Sequence, residues 1–253
     1  MILSQKMGLL LALTIITLIS VFLVPPIAQP LSFHHFADDR SLWGIPNFGN
    51  VVSNLPFLIV AVVGLTTVTK AAVSPAIKVN YIVLFLGVLL TGFGSAYYHW
   101  HPNNDTLVWD RIPMTIVFMS LLAATLSELV SRPIGIGLLF ALVAVGVGSV
   151  LWWHYTETLG KGDLRLYFWV QFYPMLAIPL ILWLFYTPAI KPALHCLSWV
   201  VVWYVIAKVF EQFDYPIYRT IGISGHTLKH LAAAVSTGYF VLLFRRQYVP
   251  HHA

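Results

Sequence analysis

Apolar residues occur in long runs along this chain, and short polar segments separate the runs. Each run is about 20 residues long, the length at which an α-helix crosses about 30 Å of hydrocarbon. Breakers such as Pro25-Pro26 and Arg132-Pro133 fall between neighbouring runs. The pattern predicts eight membrane-spanning helices, at about residues 7–24, 51–69, 80–99, 112–130, 134–152, 166–186, 195–213 and 227–245.

The composition agrees with this pattern. The 253 residues are 59% hydrophobic and only 9% charged. A soluble domain contains about a quarter charged residues, so this chain could not cover a water-exposed surface with polar groups. The longest stretch outside the runs is residues 25–50, and it is rich in polar residues. We therefore predict an all-α polytopic membrane protein without a soluble domain.

The net charge of +5 does not indicate a nucleic-acid-binding protein, because the basic residues stand singly between the runs rather than in a patch. They indicate membrane topology instead. In the loops, seven Lys and Arg lie on the side of the amino terminus and five on the other side. Lys6 precedes the first run and no clean small-x-small cleavage site follows it, so we expect an uncleaved signal anchor. The amino terminus is then cytoplasmic.

Five residues that can carry chemistry stand near the ends of the runs. Ser95 and His99 are four residues apart, as are His226 and His230, so each pair shares one face of its helix. Asp110 opens the fourth run. The end of the third run and the starts of the fourth and eighth lie on the same side of the membrane. Three imidazoles, one carboxylate and one hydroxyl can therefore converge at one depth, on the extracytoplasmic side.

Three histidines with an open fourth position form the usual catalytic zinc site, where water is the fourth ligand. His99, His226 and His230 can supply these imidazoles, and Asp110 can transfer protons. Ser95 can hydrogen-bond the water or a developing oxyanion. Taken singly, the same residues also fit interfacial histidines, a helix-packing serine and an N-cap aspartate. Spacing and membrane side leave both interpretations open.

The motifs resemble those of the alkaline ceramidase family. The segment from Gly92 to His99 reads G-x-G-S-x3-H, and D-x2-P-M begins at Asp110 after ten further residues. His226 and His230 match the H-x3-H of the family's last helix. The resemblance covers about residues 45–245 and implies a seven-helix core, which a wider superfamily shares with the progestin and adipoQ receptors. The 7–24 helix would be an addition before this core.

The resemblance implies hydrolysis of the amide bond of a ceramide-like lipid in the membrane. It implies zinc held by the three histidines, with Asp110 as the acid–base residue and Ser95 as the oxyanion or water partner. Together with the sequence pattern, it predicts a division into a signal-anchor helix at 1–30, an extracytoplasmic loop at 31–50 and a seven-helix core at 51–253.

One departure concerns calcium. The family binds Ca²⁺ near the start of its core, but this chain lacks the D-W-x-E pattern and carries Asn47 where Glu is expected. Asp38, Asp39, Trp43 and Asn47 could form only a reduced site.

Two other functions remain open from sequence. One is a receptor-like lipid-binding protein on the same scaffold with structural zinc, which would need neither Asp110 nor Ser95. The other is a proton-coupled carrier, for which charged groups would be expected at mid-span positions rather than at one end. Protein partners cannot be deduced from the sequence. Among the remaining polar residues, we expect Lys208 and Glu211 to pair, and His34 and His35 to be exposed loop residues.

Overall fold

The computed structural model describes residues 1–249, and their regular structure is helical apart from one isolated bridge between Leu42 and Ile45. Short 3-10 turns lie at Leu31–His34 and Pro188–Ile190. The α-helices, in chain order, are α1 Leu3–Phe22, α2 Phe48–Val52, α3 Leu55–Lys70, α4 Pro75–Trp100, α5 Asn104–Leu129, α6 Arg132–Thr158, α7 Arg165–Leu184, α8 Lys191–Gln212, α9 Asp214–Ile221 and α10 Gly225–Tyr248.

The described part of the chain contains eight helical segments that are long and apolar enough to cross a membrane. They coincide with the eight predicted runs, with α2 and α3 together forming the second span. The predicted class, an all-α polytopic membrane protein, is confirmed. The division at residues 30 and 50 into anchor, loop and core stays a prediction.

The start of α5 differs from the prediction. The helix begins at Asn104 rather than near residue 112, because its first turn is polar but well capped. The Asn103 side-chain oxygen accepts from the Thr106 amide at 2.9 Å, and the Thr106 hydroxyl lies 3.2 Å from the Asn103 amide. This reciprocal arrangement satisfies amide groups that a helix start leaves unpaired. Asp110 therefore lies in the second turn of α5, and the prediction that it opens the helix is wrong.

The chain divides into two compact units, and each is described by itself. The first unit contains Met1–Gln29 and Thr115–Ile190. In this unit α1 packs against α7 through a hydrogen bond of 2.7 Å between the hydroxyls of Thr14 and Tyr173. The Trp169 indole donates to Thr17 at 3.1 Å. These polar contacts fix α1, whose outer face is apolar and exposed as expected for a helix in lipid.

The second unit contains Pro30–Met114 and the chain from Lys191 onward. Here α10 packs along α8 and also contacts α3, which in turn packs along α4. A Cβ built on Gly64 of α3 would overlap the Phe85 ring of α4, so glycine permits this close approach of the two helices. The five predicted site residues all lie in this unit.

Candidate metal centre and proton-transfer pair

The three predicted histidines form one buried cluster. His99 lies in the last turn of α4, and His226 and His230 lie in the first two turns of α10. One ring nitrogen from each lies within 4.8 Å of those of the other two. Among the described residues, no other group of three or more His, Cys, Asp or Glu side chains brings its ligand atoms this close together. The structure thus brings together residues that are more than 120 positions apart in sequence.

The hydrogen bonds around the cluster fit a metal ion. Neither ring nitrogen of buried His99 has a hydrogen-bond partner. Burying such a polar group without a partner is costly, and a metal would satisfy it. The Ser53 hydroxyl donates to the Asn50 carbonyl at 3.0 Å, so it can accept from Nδ1 of His230 at 2.8 Å. That tautomer leaves Nε2 of His230 free as a ligand, and such partners orient metal-binding histidines.

The start of α10 is fixed by Asp214, a buried residue that the sequence did not indicate. Its Oδ1 accepts from the Ser224 hydroxyl at 2.6 Å and from the His226 amide at 3.0 Å. Its Oδ2 accepts from the Ala37 amide at 3.0 Å. Ser224 is itself the N-cap of α10 and accepts from the amides of His226 and Thr227. The backbone that carries His226 is therefore held by both a cap and a buried carboxylate.

We predict that Asp214→Asn weakens zinc binding by about 10–100-fold, the usual effect of changing a group that orients a ligand. Both carboxylate oxygens accept from donors, so an amide at this position must place its NH₂ against one of them. Zinc retained per chain after dialysis against a graded chelator measures the effect. Asp163→Asn is the control, since Asp163 is also buried but pairs with Arg165 in the first unit. Equal zinc retention in the two variants would remove the positioning role.

Ser95 and Asp110 form the second part of the site. Gly94 allows α4 and α5 to approach closely, because a Cβ there would overlap the Trp109 carbonyl oxygen. The next residue on each helix, Ser95 on α4 and Asp110 on α5, is buried, and these two side chains lie near each other. Ser95 also lies one turn before His99 on α4. The N-cap interpretation of Asp110 is excluded, since the residue lies inside the helix.

A cluster of charged side chains lies next to the histidines, and it contains more residues than the pair that the sequence predicted. The expected pair of Lys208 and Glu211 is confirmed at 2.6 Å. Glu211 also accepts from Lys229 at 2.6 Å, and the Lys229 ammonium lies 3.4 Å from Nε2 of His226. Lys229 stands three residues after His226, so their shared helix face was a signal that sequence reasoning could have used.

The polar segment before α2 covers the imidazoles. The ring of Phe36, only 7% exposed, lies with its centroid 4.7 Å from that of His99 and 4.9 Å from that of His226. His34 is not an exposed loop residue as predicted, because its two ring nitrogens contact Tyr98 and Asn104 at 3.0 Å each. Burial lowers the pKa of His34, although the bond to Asn104 opposes this shift. His35 is exposed.

The residues named for a reduced calcium site have other partners. Both oxygens of Asp38 bind the Arg40 guanidinium at 2.7 Å, and this pairing lowers the pKa of Asp38. Asn47 donates to the His99 carbonyl at 2.9 Å, and Trp43 is 84% exposed. Asp39 is also exposed. Calcium binding therefore stays a prediction that these contacts do not support.

Comparison with known proteins gives one match. The ceramidase family model matches residues 43–248, a range that contains Ser95, Asp110 and the three histidines. No curated protein and no solved structure matches the chain. Helix α1 precedes the matched range. Because the match covers most of the 253 residues, the chain belongs to the ceramidase family.

Proposed function

We propose that this protein is a zinc-dependent membrane amidase that hydrolyses the N-acyl bond of ceramide or a related lipid. Membership in the ceramidase family implies a hydrolase of amide bonds and a lipid substrate. The observation that carries the zinc dependence is the buried cluster of His99, His226 and His230, in which neither ring nitrogen of His99 has a hydrogen-bond partner. The products would be a free fatty acid and an amine.

The three histidines would hold the metal, each through one neutral imidazole nitrogen. Bound zinc would supply a Lewis acid that polarises the amide carbonyl and lowers the pKa of water. The contact of the Ser53 hydroxyl with Nδ1 of His230 would orient that imidazole, and the Asn47 amide holds the backbone carbonyl of His99. The remaining chemistry falls to side chains of this chain.

Asp110 is the residue for both proton transfers. Its carboxylate would accept a proton from the attacking water and deliver it to the amide nitrogen as the carbon–nitrogen bond breaks. Protonation is needed because an amide cannot expel its nitrogen as an anion at neutral pH. Ser95 lies near Asp110 and would orient it, or donate to the oxyanion that forms on the carbonyl.

Release of fatty acid tests the proposed function. Detergent-solubilised, zinc-loaded protein is incubated with ceramides and other N-acyl lipids, and free fatty acid and amine are quantified by mass spectrometry. We expect the two products in equal amounts, and no products from the protein stripped of metal. If the zinc-loaded protein releases no fatty acid from any lipid of the panel, the receptor-like binding function replaces the enzyme.

We also propose that the site faces the extracytoplasmic side, from the loop charges. The test places one cysteine on each side, at exposed Asp105 before the site or at exposed Ser74 between α3 and α4. The native Cys196 is buried and gives a low background. In intact cells, an impermeant maleimide should label Asp105→Cys and spare Ser74→Cys. The opposite labelling pattern would reverse the orientation.

A further inference from the structure

An apolar groove lies between α3 and α10 in the second unit, on the part of the two helices that is apolar enough to span the membrane. Its volume is ≈ 470 Å³, within the range of about 300–1,000 Å³ that is usual for ligand sites. The groove is lined by Pro56, Val60, Leu231, Ala234, Val235, Gly238, Tyr239 and Leu242. Seven of these eight residues carry no polar side-chain atom, so the groove suits hydrocarbon.

The groove begins within one helical turn of His230 and of its partner Ser53, although none of the three histidines lines it. Its first residue on α10, Leu231, directly follows His230. Its first residue on α3, Pro56, lies three positions after Ser53, whose hydroxyl contacts His230 at 2.8 Å. Both helices therefore begin at the histidine end, and the groove leads away from it along them.

The length of the groove selects its occupant. From Leu231 to Leu242 the helix rises about 16 Å, at about 1.5 Å per residue. One leaflet of the hydrocarbon core is about 15 Å thick, half of about 30 Å. A single acyl chain that starts beside His230 would therefore run along the groove over about the thickness of one leaflet.

We infer that this groove binds the acyl chain of the lipid substrate and that the substrate reaches the histidines laterally between α3 and α10. The inference rests on the proposed function, since it names the part of the lipid that this surface recognises. Exposed Leu231, Val235 and Leu242 form its rim, and buried Ala234 forms its floor. Gly238 leaves the middle open, because no atom lies within 4 Å of a Cβ built there.

Filling the groove tests this inference. Gly238→Leu places a side chain in the open middle of the groove. Long acyl chains should then no longer bind along it, while short ones still fit. We expect kcat/KM for a long-chain substrate to fall by roughly 10–100-fold relative to a short-chain one, as for other apolar sites. Gly148→Leu is the matched control, since Gly148 on α6 has equally open space but does not line the groove. Leu242→Trp at the far end should affect only the longest chains.

A binding measurement that needs no hydrolysis separates the inference from the proposed function. The probe is a long-chain fatty acid with a terminal diazirine, photo-crosslinked to the detergent-solubilised wild type and variants. We expect labelling of residues 231–242 that unlabelled oleate competes away and that Gly238→Leu removes. Saturable labelling without hydrolysis of any lipid would contradict the proposed amidase activity but would support acyl-chain binding in the groove.

Two results would contradict the inference that the groove binds the acyl chain of the substrate. One is hydrolysis with unchanged chain-length preference in well-folded Gly238→Leu and Leu242→Trp. The other is labelling of the lipid-facing helices that oleate does not reduce, which would mean only that the groove is covered by bulk lipid. In the first case the amidase stands and another surface holds the chain.

Discussion

The Asp110→Asn variant is expected to fold and keep its zinc but to lose turnover by about 10²–10⁴-fold, the usual contribution of a positioned acid–base group. An amide has nearly the same shape as the carboxylate and can occupy the same place beside Ser95. It cannot accept a proton from water or return one to the amine. Because none of the three histidines is changed, metal binding should remain. The measurement is the kcat for fatty-acid release beside the zinc content of the same preparation.

The control for this variant is Asp105→Asn. Asp105 is an exposed acid in the first turn of the same helix, so its replacement removes the same charge five residues before Asp110. Its turnover should equal that of the wild type. Ser95→Ala should lose up to about 10²–10³-fold if its hydroxyl stabilises the oxyanion, and less if it only orients Asp110. A kcat of Asp110→Asn near that of the wild type would contradict the acid–base role of Asp110.

The spans could be predicted from sequence because the bilayer imposes one strong rule on every segment. A helix that crosses hydrocarbon must be long and apolar, and this property is visible in a local window of sequence. Membrane side follows from counting spans, and it grouped His99 with His226 and His230, whose ring nitrogens converge in the structure. The same local rule misplaced the start of α5, because the Asn103 and Thr106 cap is polar and lies outside the apolar run.

The supporting contacts could not be predicted because each joins a side chain to a distant backbone group. Asp214 accepts from the amides of Ala37 and His226, and Asn47 donates to the His99 carbonyl. Backbone amides and carbonyls are present at every residue, so no sequence pattern marks the partner. Phe36 lies against the imidazoles from a segment that reads as a polar loop. Such contacts depend on how the helices pack, which local sequence does not determine.

Two residues, Ser95 and Asp110, would distinguish an enzyme from a receptor, and they lie near each other in the structure. A structural zinc needs only its ligands and their orienting partners. Here a buried carboxylate and a buried hydroxyl lie beside the ligand-bearing end of α4. Ionisable groups within membrane-spanning segments are rare and often functional. Their position beside the ligand-bearing end of α4 is the feature that supports the proposed hydrolysis over a purely structural metal.

His226→Ala should lower the zinc content from about one per chain to a small fraction, because two histidines alone do not complete a site of this kind. Folding should survive, since the start of α10 is held through the His226 amide, which alanine keeps, and through Ser224 and Asp214.

Metal analysis after purification and dialysis gives the zinc content, and gel filtration with circular dichroism checks the fold. His195→Ala is the matched control, because His195 is exposed on α8 of the same unit and lies outside the cluster. It should retain the wild-type zinc content. His99→Ala and His230→Ala should behave as His226→Ala does, and fatty-acid release should fall in proportion to the zinc lost. Unchanged zinc in all three ligand variants would show that the metal, if bound, lies elsewhere in the protein.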